Sequence, residues 1–501
     1  MRMSAKRLLA VILAGLMILP LAACGKTDDP GDGTTPVGTQ NQDEVETGDP
    51  NYTCNLPENL NFGNTEVVIM SKTDAYCSDE LKSEKMGLGT LSDAVYERNA
   101  TVENQLKVKL TVLFMDDVAG AVDRMVSAGD RSVDIFTLES FMGIGKAMEG
   151  KFLNLKDTLY TDTSKHYWSQ EYNEIVTYTD QNMQFLATSP AALTLFRLSF
   201  FTIFNKKLME ERHLPELYDV VENGEWTLDY QYQITTDIWV DTNGDGTRSM
   251  ADFYGHITGS RISMDPYPVA CNIHLVVRDE NGDQYFDAEQ QKNMITMAEK
   301  VSQLCTSPGT VLIGGFLDNV EGDTVITKFA AEEGVMATTL FNAMEHHINE
   351  LADISYGIAP LPKMTKEQEK YHTYVQDRVT CFGISAAIGD EERQDVLSAV
   401  MESIAYNSYV IVRPAYYDTT LSLRFMQDRR SGDMLDLMFE SVSFDLCTII
   451  GMGGVKNDLR TLLPSRNPPI ASRFKMWSTK LQGTVDNQNK TLDRMLENMG
   501  G

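Results

Sequence analysis

An α/β fold in two lobes or domains is what this 501-residue sequence predicts, and three observations carry the prediction. Short β-branched runs alternate with apolar residues at helical spacing, starting at Glu66. Further strands return late in the chain, after a long stretch dominated by helices. Once the terminal segments are set aside, about 440 residues remain, more than a single core accommodates.

The elements follow in order. Glu66–Met70 is the first strand, and Leu91, Val95, Val102 and Leu106 mark a helix behind it. Lys107–Met115 alternates as a second strand, with Val108, Leu110, Val112 and Phe114 on one face. Val118, Val122 and Met125 give a second helix, and Val133–Phe136 a third strand. Strands separated by helices imply parallel pairing, with helices covering the sheet. Asn205–Arg212, Thr227–Thr236, Ala288–Cys305 and Arg393–Ser408 read as amphipathic helices, with Thr227 as an N-cap. Asn281-Gly282 is a hairpin turn joining Ile273–Arg278 to Gln284–Asp287. Val335–Leu340, Ile354–Ala359 and Val379–Ala386 complete the strands.

The first residues point to export. Arg2, Lys6 and Arg7 precede an apolar run, Leu8–Leu21, that is too short to span a bilayer. Residues 1–23 therefore read as a signal peptide, with Leu21-Ala22-Ala23-Cys24 at its end resembling the lipobox of bacterial lipoproteins. Cys24 is the expected lipidation site, and the expected location is the extracellular face of a cell membrane. Residues 24–57 are rich in Gly, Thr, Pro, Asp and Glu, and are expected to form a disordered tether. The formal charge of −29 becomes −32 without the three leader cations, which argues against nucleic acid as a partner. Six cysteines remain after Cys24, a number compatible with three disulfides or with six buried thiols.

One segment carries ion chemistry. Asp241-Thr242-Asn243-Gly244-Asp245-Gly246-Thr247-Arg248-Ser249-Met250-Ala251-Asp252 places oxygen ligands at loop positions 1, 3, 5, 9 and 12 and glycine at 6. A hard cation takes six or more oxygens at about 2.3–2.6 Å, and the glycine lets the chain turn around it. Asp241, Asn243 and Asp245 would offer side chains, Thr247 its carbonyl, and Ser249 a direct or water-bridged contact. Asp252 would close the loop, on a shorter arm than the customary glutamate. Calcium is the expected ion; an Asx-rich turn without metal is the alternative.

No nucleophile elbow, His-Glu-x-x-His pair or phosphate-binding loop occurs. Glu345-His346-His347 reads as a solvated helix face, because adjacent histidines diverge by about 100° on a helix. Trp168, Trp226, Trp239, Trp477 and the pair Tyr416-Tyr417 are candidates for stacking on sugar rings, against core packing as the commoner use of aromatics. Arg413-Pro414 precedes the tyrosine pair in what reads as a loop, where it would face a cleft.

Several segments, taken in order, resemble the extracellular solute-binding proteins of ABC importers, in the carbohydrate-type branch related to maltose-binding protein. They are Asp93–Asn99, Val133–Phe136, Phe204–Leu208 followed by Gly224-Glu225-Trp226-Thr227, Tyr356–Pro362, Phe382–Ser385 and Arg413–Asp418. The resemblance implies a two-lobed periplasmic-binding-protein-like fold of type II, with lobe one at 58–195 plus 335–388 and lobe two at 196–334 plus 389–501. It implies a carbohydrate ligand in the interlobe cleft, contacted by Glu139, Phe141, Trp226, Arg413, Tyr416 and Tyr417. It further implies delivery to an ABC permease by a monomer without catalytic activity. A surface-tethered glycan-active enzyme and a sugar-sensing subunit for a membrane signalling partner are the alternatives.

Overall fold

The computed structural model describes residues 53–178, 183–279, 282–314, 318–422 and 429–499. Cys24, most of the expected tether and Asn281 of the expected hairpin turn lie outside these residues.

Among the described residues, nine strands and one short added strand build two main sheets. The nine are β1 (Thr65–Lys72), β2 (Val108–Met115), β3 (Ile135–Glu139), β4 (Phe200–Asn205), β5 (Phe253–Gly259), β6 (Thr310–Ile313), β7 (Gly334–Leu340), β8 (Tyr356–Ala359) and β9 (Thr380–Ile384). The first sheet runs β9-β3-β1-β2. β1 pairs parallel with β2, Thr65 opposite Val108, and parallel with β3, Ile69 opposite Ile135; β9 closes the edge antiparallel to β3. Its sequence explains its burial. Val67 and Ile69 face one core with Val102, Leu106 and Val396, while Met70 on the other face meets Val118, Val122 and Phe136. A parallel sheet needs both faces covered, and helices Thr90–Leu106, Glu391–Asn407 and Val118–Ala128 do so.

The second sheet runs β6-β5-β7-β4-β8, with Trp239–Val240 added antiparallel to β5. β5 is parallel to β6 and β7, whereas β4 is antiparallel to β7 and β8. Phe201, Ile203, Ile257, Val335, Ala337 and Ile358 pack here with Val325, Ile326 and Phe329 of helix Asp318–Ala330 and Met434, Leu435 and Met438 of helix Arg429–Glu440.

Sheet pairing divides the chain differently from the expected lobes. β7 and β8 belong to the second sheet, since Met336 pairs with Phe204 and Ile358 with Ile203, so residues 335–388 are split rather than assigned to lobe one. Helix Glu391–Asn407 packs on helix Thr90–Leu106 beside the first sheet, so lobe two does not begin at 389. The chain therefore passes between sheets three times: before β4, between β8 and β9, and between helices Glu391–Asn407 and Arg429–Glu440. The first two passages run side by side, with Ala187 bridged to Phe382 and Ser199 to Val375.

Local signals hold where they were strongest. Thr227 caps helix Leu228–Thr235, its side chain accepting from the Tyr230 amide. Val276–Arg278 and Gln284–Phe286 pair as a hairpin, with Gly282 at φ 81°. Cys54, Cys77, Cys271, Cys305, Cys381 and Cys447 are free thiols, all buried except Cys54. No helix among the described residues is long and apolar enough to cross a membrane.

Candidate functional site: a polar cleft at the strand ends

Topology brings one end of each sheet together. The C-terminal ends of β1 and β3 and the start of β9 meet the C-terminal ends of β5 and β7, which is where open α/β sheets bind ligands. A narrow cleft of about 20 Å³ lies there, lined by Tyr76, Gln376 and Arg378 from one side and Ile262, Asp323, Leu340 and Asn342 from the other, with Leu198 and Ala343 between.

Five side chains form one connected wall, of which Tyr76 and Arg378 line the cleft while Lys72, Asp74 and Glu139 stand behind them. Glu139 ends β3 and is 5% exposed; it accepts from Lys72 Nζ at 2.8 Å, Arg378 Nε at 2.6 Å and the Tyr76 hydroxyl at 2.8 Å. Asp74 stands 2.7 Å from Lys72 Nζ, 3.2 Å from Arg378 Nη2 and 3.0 Å from the Tyr76 hydroxyl. Arg378 lies over the Tyr76 ring at 4.7 Å. Burial pushes the Glu139 carboxyl up, but Lys72 and Arg378 outweigh it and hold the group below its ordinary value. Asp74 is likewise held low against its own desolvation, mainly by Lys72. Each charge in the wall thus has an opposite partner at hydrogen-bonding distance, as buried or half-buried ions require.

Glycine shapes the facing wall. A Cβ on Gly259 would fall 1.7 Å from Glu321 Oε1, and that carboxylate is fixed in place by the amides of Arg261 (2.9 Å) and Ser263 (3.1 Å). Only glycine at the end of β5 lets Glu321 hold the turn that carries Ile262 into the cleft.

The expected ligand residues divide. Glu139 is part of the wall, and Phe141 is half-buried beside it, its amide donating to the Asp377 carbonyl at 3.2 Å. Trp226 is not a cleft residue: it is fully buried in the second sheet's core, its indole N–H donating to the Pro360 carbonyl at 2.9 Å. Tyr416 and Tyr417 lie in helix Arg413–Ser422 rather than in a loop. The Tyr416 ring stacks on Phe196 at 4.9 Å, and its hydroxyl donates to Glu345 at 2.6 Å. Tyr417 packs on Phe439, and Arg413 lies between Tyr409 and Tyr417, 5.1 and 5.2 Å from their rings. These three close a junction behind the cleft instead of lining it. The other tryptophans are committed elsewhere too: Trp168 donates to Glu402, Trp239 to Asp252 and Trp477 to Asp458.

Glu345 is not a solvated residue, since it pairs with Arg197 at 3.0 Å. Lys72, Tyr76 and Arg378 were not anticipated. Arg378 meets Glu139 across 239 positions in sequence, and no local pattern encodes that meeting.

The 241–252 segment forms a compact exposed loop. Asp241 accepts from the amides of Gly244 (2.8 Å), Asp245 (3.2 Å) and Gly246 (2.7 Å), with Gly244 and Gly246 in the left-handed region. Asn243 Oδ1 accepts from the Asp245 amide at 3.0 Å, and Asp245 Oδ1 from the Thr247 amide at 2.7 Å. Asp252 departs from its expected role. Fully buried, it accepts from the Trp239 indole (3.2 Å) and the amides of Thr242 (3.3 Å) and Ser249 (2.8 Å), which fastens the loop to the sheet. Among the described residues, no group of three or more His, Cys, Asp or Glu is placed to hold a metal.

No family model matches the chain, and neither does any curated protein. Solved structures do. RafE from Streptococcus pneumoniae, in its apo form, is 15% identical with a TM-score of 0.50, over 84% of this chain and 98% of that one. A cyclo/maltodextrin-binding protein complexed with maltotetraose is 12% identical with a TM-score of 0.50, over 87% of this chain and 98% of that one. A sugar transporter from Rhizobium etli, in an open conformation, is 11% identical with a TM-score of 0.54, over 83% of this chain and 99% of that one. The chain has the two-lobed α/β fold of these proteins, the type II binding-protein fold.

Proposed function

We propose that this chain is a membrane-anchored solute-binding lipoprotein that captures a carbohydrate, in the oligosaccharide size range, and hands it to an ABC permease. The observation that carries the reading is the polar cleft at the meeting strand ends, in a fold shared with a maltotetraose-binding protein. Sugar hydroxyls donate and accept alike, and Asp323, Asn342, Gln376, Tyr76 and Arg378 offer both kinds of partner. Hinge closure around the sugar would turn differential affinity for the two lobe arrangements into a signal for the permease.

The wall also favours capture over cleavage. A glycosidase keeps one of two carboxyls protonated to donate to the leaving oxygen. Here Lys72 and Arg378 hold both Asp74 and Glu139 below their ordinary values, the opposite of the raised carboxyl that a glycosidase uses as its acid. Calorimetric titration with maltotetraose and a panel of neutral mono- and oligosaccharides tests the reading, with chromatography of the recovered sugar to detect turnover.

Calcium at the exposed loop is part of the same proposal, as a structural ion outside the cleft. Asp241, Asn243, Asp245 and the Thr247 carbonyl would hold it, with water completing the shell. Asp252 is left out of this set because its carboxylate is already bonded within the protein. A site short of its closing carboxylate belongs at the weak end of the range, about 10⁻⁴ to 10⁻³ M. At ten times that constant the ion would add about 1.4 kcal/mol of stability. Melting with calcium and with chelator is expected to differ for the parent and for Asp252→Asn, and not for Asp245→Ala. A shift retained in Asp245→Ala places the ion elsewhere.

A further inference from the structure

We propose that Arg197 is the positioning residue that sets the angle between the two cleft walls, an inference that rests on the capture reading. Arg197 lies on the first passage between the sheets and is nine-tenths buried. One edge of its guanidinium grips Asp79, in the segment between β1 and helix Thr90–Leu106, at 2.6 and 2.9 Å. The same edge donates to the Tyr76 carbonyl at 3.0 Å, so it holds the backbone of a residue that lines the cleft. Nε donates to Glu345 at 3.0 Å, and Glu345 lies on the short helix Phe341–His346, whose Asn342 lines the opposite wall. The Tyr416 hydroxyl, from the third passage, fills the other oxygen of Glu345 at 2.6 Å.

One planar cation therefore joins a segment following β1 to a segment following β7. Five N–H groups in a fixed fork hold both carboxylates at a defined separation, which a single ammonium cannot reproduce. Arg197 touches no surface of the cleft itself. It acts through Tyr76 and through the helix that bears Asn342, so losing it changes the distance between walls and leaves their chemistry intact.

The test uses the full chain without sugar first. In Arg197→Met, amide exchange over 74–80 and 341–347 is expected to quicken roughly tenfold or more, the loss of a charge-assisted hydrogen bond, while β1 and β7 keep their protection. The radius of gyration from solution scattering is expected to rise. Arg197→Lys restores one grip only, and its exchange falls between the two. Should Arg197→Met fail to fold, Glu345→Gln removes one charge from the tie and must move the same segments in the same direction. Unchanged exchange and unchanged radius in the variants overturn the proposal. A second arm titrates maltotetraose: weakened binding in Arg197→Met beside an unmoved apo structure also overturns it. Absence of sugar binding by the parent counts against the capture reading alone, because the apo measurements judge the tie independently.

Discussion

Trp226→Ala is expected to lower the unfolding free energy by about 3–5 kcal/mol, a large share of the 5–15 kcal/mol that a protein commonly has. The indole is fully buried in the second sheet's core, packs edge-on against Tyr230 at 6.3 Å and donates to the Pro360 carbonyl. Truncation opens a cavity beside Tyr230 and leaves the carbonyl without its donor, and both effects act in the same direction. Urea unfolding read by tyrosine fluorescence and circular dichroism measures the loss. Trp226→Phe fills most of the space and is expected to recover about half of it. A Trp226→Ala protein with unchanged stability and weakened sugar binding would return the residue to the cleft.

Cys24→Ser carries the second large effect: the protein is expected to leave the membrane fraction almost completely. Each buried methylene contributes about 0.8 kcal/mol, and stable anchoring takes two lipid signals, such as two chains on one cysteine. No helix among the described residues is long and apolar enough to cross a membrane. The measurement is fractionation of cells bearing parent and Cys24→Ser chains, with mass spectrometry of the N-terminal peptide for the lipid. Retention of the serine variant at the parent's level contradicts lipid anchoring.

The elements were legible where one local rule sufficed. A β-branched run places β1, alternation places β2, helical spacing places Thr90–Leu106, and a hydroxyl before an amphipathic run places the Thr227 cap. The residue before an N-cap often packs against the first turns of its helix, as Trp226 does on Tyr230, and that rule would have assigned the tryptophan to the core. Sheet membership was less legible. β7 lies between β5 and β4, neighbours chosen by packing across 80 positions (Gly334 with Tyr254) and 132 positions (Met336 with Phe204). The lobe boundary at 335 failed for that reason.

The resemblance led only to the neighbourhood of the cleft, at Glu139, which bonds to the lining residues Tyr76 and Arg378. Its other charges form by long-range meeting: Arg378 with Glu139, and Arg197 with Asp79 and Glu345 over 118 and 148 positions. A sequence with 72 acidic residues offers too many candidate partners for any one arginine. The Tyr416-Tyr417 pair misled for a simpler reason. Arg413-Pro414 looks like a loop, yet the chain stays helical from Glu391 through a π-helical turn at Ser408–Val412 into Arg413–Ser422, and that turn accommodates the proline's missing amide donor.

Calorimetry of the Cys24→Ser full chain with the neutral sugar panel, maltotetraose included, tests capture in the cleft most directly. The account predicts saturable one-to-one binding of at least one oligosaccharide, recovery of that sugar intact, and loss of binding in Arg378→Ala with Trp226→Phe left at parental affinity. No saturable binding across the panel, shortened sugars in the recovered ligand, or parental affinity in Arg378→Ala would contradict it.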